Sequence, residues 1–106
     1  MATLSTHVLD LSRGRPAVGV AVTVTSVAGE HVAAGATDDD GRVRPLGGPL
    51  EAGDYRLRFD TADYFQRTGT AGLYPEVVVA FTITADEHYH VPLLLTPHGY
   101  STYRGS

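Results

Sequence analysis

Apolar and polar residues alternate with a period of two along most of the chain, and helical spacing is nearly absent. Val18, Val20, Val22 and Val24 share one side of a stretch whose other side carries Ala21, Thr23 and Thr25. Tyr55, Leu57 and Phe59 alternate with Asp54, Arg56, Arg58 and Asp60. Val77, Val79, Phe81 and Ile83 repeat the pattern against Thr82 and Thr84. Tyr89, Val91, Leu93 and Leu95 repeat it once more, with His88 and His90 on the opposite face. Successive side chains of a strand point to opposite faces, so each run predicts a strand with one buried side. Thr3–Leu9 and His31–Thr37 are weaker candidates of the same kind.

Between the runs lie SRGRPAVG, AGE, DDDG, GGPLEAGD and TPHG, which carry Gly, Pro or Asp where chains reverse. One helix is expected over Thr61–Arg67, with Asp60 or Thr61 as its cap and Gly69 just past its end. Seven or eight short strands and one short helix in 106 residues predict an all-β, two-sheet sandwich forming one domain over 1–106. An immunoglobulin domain is disfavoured, since its cysteine pair and core tryptophan are both missing.

Composition narrows the chemistry. The chain has no Cys, which removes disulfides, thiolate metal sites and cysteine nucleophiles. All eight cations are Arg, at 13, 15, 42, 44, 56, 58, 67 and 104, so lysine Schiff-base and lysine-base chemistry are excluded too. A net charge of −4 argues against a nucleic-acid partner. No apolar run reaches the roughly 20 residues of a membrane span. The opening MATLSTHVLD carries neither a basic start nor an apolar signal core, so a cytoplasmic location is expected.

Five histidines, at 7, 31, 88, 90 and 98, are the groups that titrate nearest neutrality. His7 shares a strand face with Ser5 and Leu9, and by itself reads as a structural or solvated residue. His88 and His90, two apart, project from one face of one strand. Such a pair suits either a polar outer face or, with a third ligand, a zinc site. Arg42 and Arg44 fall on one face if a strand begins after the DDDG turn, and charges there also suit an exposed edge. The ending YSTYRGS follows the most apolar run, VPLLL, and suggests a last strand held in the sheet.

Several separated segments resemble one family. LSTHVLDLSRGRPA, DDDGR, GDYRLRFDTADYF, LYPEVVVAF and HYHVPLLLTPHGYSTYRGS together resemble the transthyretin-like 5-hydroxyisourate hydrolases, from about residue 4 onward. The final YRGS separates those enzymes from the hormone-carrying transthyretins. The resemblance implies a sandwich of two four-stranded sheets with one short helix, assembled as a homotetramer with sites at the dimer–dimer contact. It implies hydrolysis of the N1–C6 amide of 5-hydroxyisourate to 2-oxo-4-hydroxy-4-carboxy-5-ureidoimidazoline, without a cofactor. The matching site positions are His7 in STHVLD, Arg42 in DGR, His90 in HYHVP, and Tyr103, Arg104, Gly105 and Ser106. His7 and His90 would form the acid–base pair, and Arg42 would hold substrate and developing charge. A small-ligand carrier of the same fold is the alternative function. A zinc-binding structural sandwich using His7, His88 and His90 is a third.

Overall fold

In the computed structural model, which covers residues 1–106, the chain runs β1 (Thr3–Asp10), β2 (Arg15–Pro16), β3 (Ala21–Ser26), β4 (His31–Ala36), β5 (Arg42–Val43), β6 (Gly53–Phe59), α1 (Thr61–Arg67), β7 (Val77–Ile83), β8 (His88–Thr96) and β9 (Gly99–Thr102). The strands stack as two sheets. One has the order β4-β3-β6-β7, antiparallel throughout. The other runs β2-β1-β8-β9, with β5 also paired to β1. The expected four strands are met in the first sheet. The second counts five because two dipeptide strands, β2 and β5, pair successively along one edge of β1.

The period-two runs place their apolar sides between the sheets. Leu4, Val8, Val22, Val24, Leu57, Phe59, Val77, Ile83, Tyr89, Val91, Leu93 and Leu95 are all buried, in one cluster of 20 apolar residues. At roughly 1.5–3 kcal/mol per fully buried large side chain, this cluster is the main term holding the layers together. Val18 departs from the expected strand face and is 42% exposed. The chain turns at Gly19, and β3 begins only at Ala21.

Helix α1 has its expected bounds, with Asp60 accepting from the Asp63 N–H as the cap. Its Tyr64 is buried, and the phenol donates to Asp10 Oδ2 at 2.7 Å. Asp10 Oδ1 accepts from the Ser12 N–H and hydroxyl and from the Arg13 N–H. Burial pushes the Asp10 carboxyl upward, but these donors outweigh it and hold the group below its ordinary value. Tyr64→Phe should therefore cost about 1–3 kcal/mol in urea unfolding, since a buried carboxylate loses a donor. A carboxyl with a depressed folded pKa contributes stability above its unfolded pKa and loses it as pH falls through the folded one. The deficit of the variant should thus shrink on acidification below about pH 4.

The central pair of the five-stranded sheet positions the site. β1 and β8 lie parallel, with Thr3 beside His88, Ser5 beside His90 and His7 beside Pro92. Parallel neighbours need a long crossover. Here most of the chain, including the whole other sheet and α1, separates the two strands.

Candidate active site

Thr3, Ser5 and His7 of β1 share the face away from the apolar core, because Leu4 and Val8 on the alternate face belong to it; Ser5 is nonetheless buried. His88 and His90 of β8 share that outer face by register. Opposite His7 on the other edge of β1 stands Arg42 of β5. A tight turn places it there. The Asp38 carboxylate accepts from the backbone N–H of Asp40 at 2.9 Å and of Arg42 at 3.0 Å. The Arg42 bond leads the effects that hold Asp38 below the ordinary carboxylate range. Gly41 sits at φ +75°, and a Cβ there would come within 2.5 Å of the Val8 carbonyl oxygen. Only glycine lets the turn approach β1 closely enough to seat Arg42 beside His7.

Two adjoining recesses result. A cavity of about 360 Å³ is lined by Thr3, Ser5, His88, His90 and Ser106, together with Arg42 and Arg44. A shallower one of about 420 Å³ is lined by His7, Asp40 and the same two arginines. His7 Nε2 lies 2.9 Å from the Asp40 carbonyl oxygen. A carbonyl only accepts, so Nε2 carries the proton and Nδ1 is left as the basic nitrogen. Ser5 Oγ bridges the other two rings, 2.8 Å from His88 Nε2 and 2.7 Å from His90 Nδ1. Thr3 Oγ1 is 2.6 Å from His88 Nδ1.

Burial, then the Arg42 charge, lowers the pKa of both His7 and His90. At His90 the effect is reinforced by His7, His88 and Arg44. At His7 it is partly offset by the Asp40 carbonyl and by the Asp38 and Asp40 carboxylates. Both rings are therefore neutral near pH 7 and able to accept a proton. The four salt bridges of the chain use Met1, Arg58, Arg67 and Arg104 as cations. Arg42 and Arg44 have no carboxylate partner, so an acidic protein presents a locally cationic recess.

The tail reaches this site as a continuation of β9. The β8–β9 ladder stops opposite Pro92, which has no N–H to donate, and resumes in the same register at Gly105 beside His90. The Gly105 N–H donates to the His90 carbonyl at 2.8 Å. A Cβ on Gly105 would meet His90 Cδ2 at 2.5 Å, so the bare backbone packs directly on the ring. Ser106 then enters the cavity. Tyr103 and Arg104 line a different groove with Val79, Phe81, Tyr89 and Val91. Arg104 ion-pairs with Glu87 at 2.7 Å and lies 4.3 Å above the Tyr89 ring. Within one subunit, then, the structure brings His7, Arg42, His90, Gly105 and Ser106 together, and leaves Tyr103 and Arg104 beside them in the tail.

His31, at the start of β4, and His98, in the β8–β9 turn, are exposed and lie outside the site. No group of three or more His, Cys, Asp or Glu side chains is arranged to hold a metal ion. His88 and His90 share a serine hydroxyl, while His7 is turned to a carbonyl. Thr3, Ser5 and Arg44 were not expected in the site. Alternation put Ser5 on the face of His7, but only the β1–β8 register puts it against His90.

The model of the HIUase/transthyretin family matches residues 4–105. The chain belongs to that family. Within it, the 5-hydroxyisourate hydrolase of Caulobacter vibrioides is 45% identical over 115 aligned positions, which take in all of both chains. The solved 5-hydroxyisourate hydrolase of Klebsiella pneumoniae superposes with a TM-score of 0.92 at 42% identity, over 100% of this chain and 94% of that one. Sea bream transthyretin in complex with thyroxine superposes with a TM-score of 0.90 at 32% identity, over 96% of this chain and 93% of that one. Backbones of the HIUase/transthyretin family thus serve a hydrolase and a thyroxine-binding protein almost equally well. The side chains of the site must separate the two.

Proposed function

We propose that this chain hydrolyses 5-hydroxyisourate, opening the N1–C6 amide to give 2-oxo-4-hydroxy-4-carboxy-5-ureidoimidazoline. The observation that carries this is the meeting, on one sheet face, of two histidines held neutral with two arginines that lack carboxylate partners. A neutral imidazole takes a proton from water, and the hydroxide attacks the ring carbonyl. Arg42 clamps the planar, heteroatom-rich substrate through parallel N–H donors and takes up charge on the tetrahedral oxygen. Arg44, lining both recesses, adds to the same field. The leaving nitrogen recovers a proton from a histidine. Oxidation states do not change, and every step uses protein groups and water, without a cofactor.

His7, Arg42 and His90 are assigned to the chemistry, and Ser106 to the cavity wall. Gly105 fixes the His90 ring, while Tyr103 and Arg104 anchor the tail through the neighbouring groove. Gly105→Ala should lower turnover roughly 10- to 100-fold by displacing His90, because ångström-scale misplacement is costly. Its thermal midpoint should stay close to wild type.

The assembly that fits this reading is a homotetramer. β7 and β9 are free sheet edges bearing exposed Val78 and Tyr100, and an uncovered edge invites pairing with another copy. A cytoplasmic location fits as well, and no helix is long and apolar enough to cross a membrane. The deciding assay follows the absorbance of freshly generated 5-hydroxyisourate. Under the hydrolase reading, the protein is expected to accelerate its loss over buffer. A rate equal to buffer would remove the hydrolase reading in favour of a small-ligand carrier.

A further inference from the structure

We propose that Ser5 and His88 are positioning residues that relay the acid–base proton of His90 to the exposed side of the sheet. This rests on the hydrolytic reading of the site. The four groups Thr3, His88, Ser5 and His90 form an unbroken chain with contacts of 2.6, 2.8 and 2.7 Å. A serine hydroxyl has a single proton, so it donates to one ring and must accept from the other. With both rings neutral, only two arrangements satisfy the chain.

In the first, His90 Nδ1–H donates to Ser5 Oγ, the Ser5 hydroxyl donates to His88 Nε2, and His88 Nδ1–H donates to Thr3 Oγ1. His90 Nε2, which has no protein partner, then carries a lone pair and is a base. In the second, every proton is shifted by one link, and His90 Nε2 carries a proton and is an acid. The chain therefore couples the acid or base character of His90 to the state of His88.

During attack, water gives a proton to His90 Nε2. The Nδ1 proton moves to Ser5 Oγ, and the Ser5 hydroxyl proton moves to His88 Nε2. Three bonds to hydrogen form and three break. His90 ends neutral, and the positive charge stands on His88. That displacement matters because charge on His90 would face Arg42 and Arg44 from the β5 segment and His7 from β1. His88 is exposed, so water solvates the charge. When the leaving nitrogen takes the Nε2 proton, the chain runs back and restores the first arrangement.

Ser5→Ala and His88→Ala should each lower kcat by about tenfold or more, with KM within about twofold, since neither side chain is the first acceptor. Imidazole added to the buffer should restore part of the rate to His88→Ala, whose gap opens to solvent. It should restore none to Ser5→Ala, which lacks the link itself. Nitrogen-15 shifts of the His90 ring provide a readout that needs no turnover. The wild type should show the Nδ1-protonated tautomer, and Ser5→Ala the Nε2-protonated one. A kcat for His88→Ala within about twofold of wild type overturns the relay. So does a slow His88→Ala that imidazole leaves unrescued, or a His90 tautomer unchanged by Ser5→Ala. If the wild type fails to hydrolyse 5-hydroxyisourate, the proposed function falls separately, and the ring-nitrogen shifts alone decide whether Ser5 sets the tautomer.

Discussion

His90→Ala is expected to lower the turnover of 5-hydroxyisourate by two orders of magnitude or more, which is the scale of a positioned general acid–base group. The ring is half-buried on the outer face of β8, outside the apolar cluster. Its loss therefore opens no cavity in the core, and the fold should persist. The pH profile of the wild type carries the same argument. Burial and the Arg42 charge lower the His90 pKa, so the basic form survives to a lower pH than in free histidine. kcat/KM should stay level as pH falls to the ordinary histidine value of about 6.5 and decline only below it. His7→Ala should show a loss of similar size, because His7 meets the same arginine from the other recess. Near-native turnover in either alanine variant would make that histidine a structural residue only.

Arg42→Lys is the second large effect. Lysine keeps the positive charge but replaces a planar fork by a single point of donation. Two charge-assisted hydrogen bonds of roughly 1.5–3 kcal/mol each are at stake, and losing one corresponds to about a 10- to 150-fold drop in kcat/KM. Arg42 makes no ion pair that would need repair, and its backbone N–H to Asp38 is independent of the side chain. Folding and thermal midpoint should therefore be nearly unchanged. The comparison is made by kcat/KM on fresh substrate beside circular dichroism melting. A lysine variant within about twofold of wild type, only ~0.4 kcal/mol, would show that Arg42 does not clamp the substrate.

Different parts of the molecule were legible from the sequence to different depths. The strands of the core declared themselves, since alternation of Val, Leu and Phe with Thr, Arg and Asp is the direct imprint of a pleated backbone with one dry face. Helix α1 did too, through the cap at Asp60 and the stop before Gly69. The edges of the second sheet did not. β2 and β5 are two residues each, too short to carry a period.

For the site, identity and arrangement came from different sources. The expectation that His7, Arg42, His90 and the tail belong together came from the resemblance carried by separated segments, not from any spacing. No spacing along the chain says that Ser5 faces His90, or that Arg104 turns away to Glu87. The residue types themselves removed thiolate and amine side-chain chemistry, because the chain has neither Cys nor Lys. Local pattern likewise indicated the apolar face of the core strands, with Val18 ahead of β3 as an exception, since a period of two is carried by each strand in itself. The tertiary structure alone decided which outward residues meet. The parallel β1–β8 register, closed across most of the chain, brings Ser5 to His90, and the Gly41 turn brings Arg42 to His7. Such contacts depend on pairing between distant strands, and a one-residue slip of that pairing would have turned every one of these side chains to the opposite face.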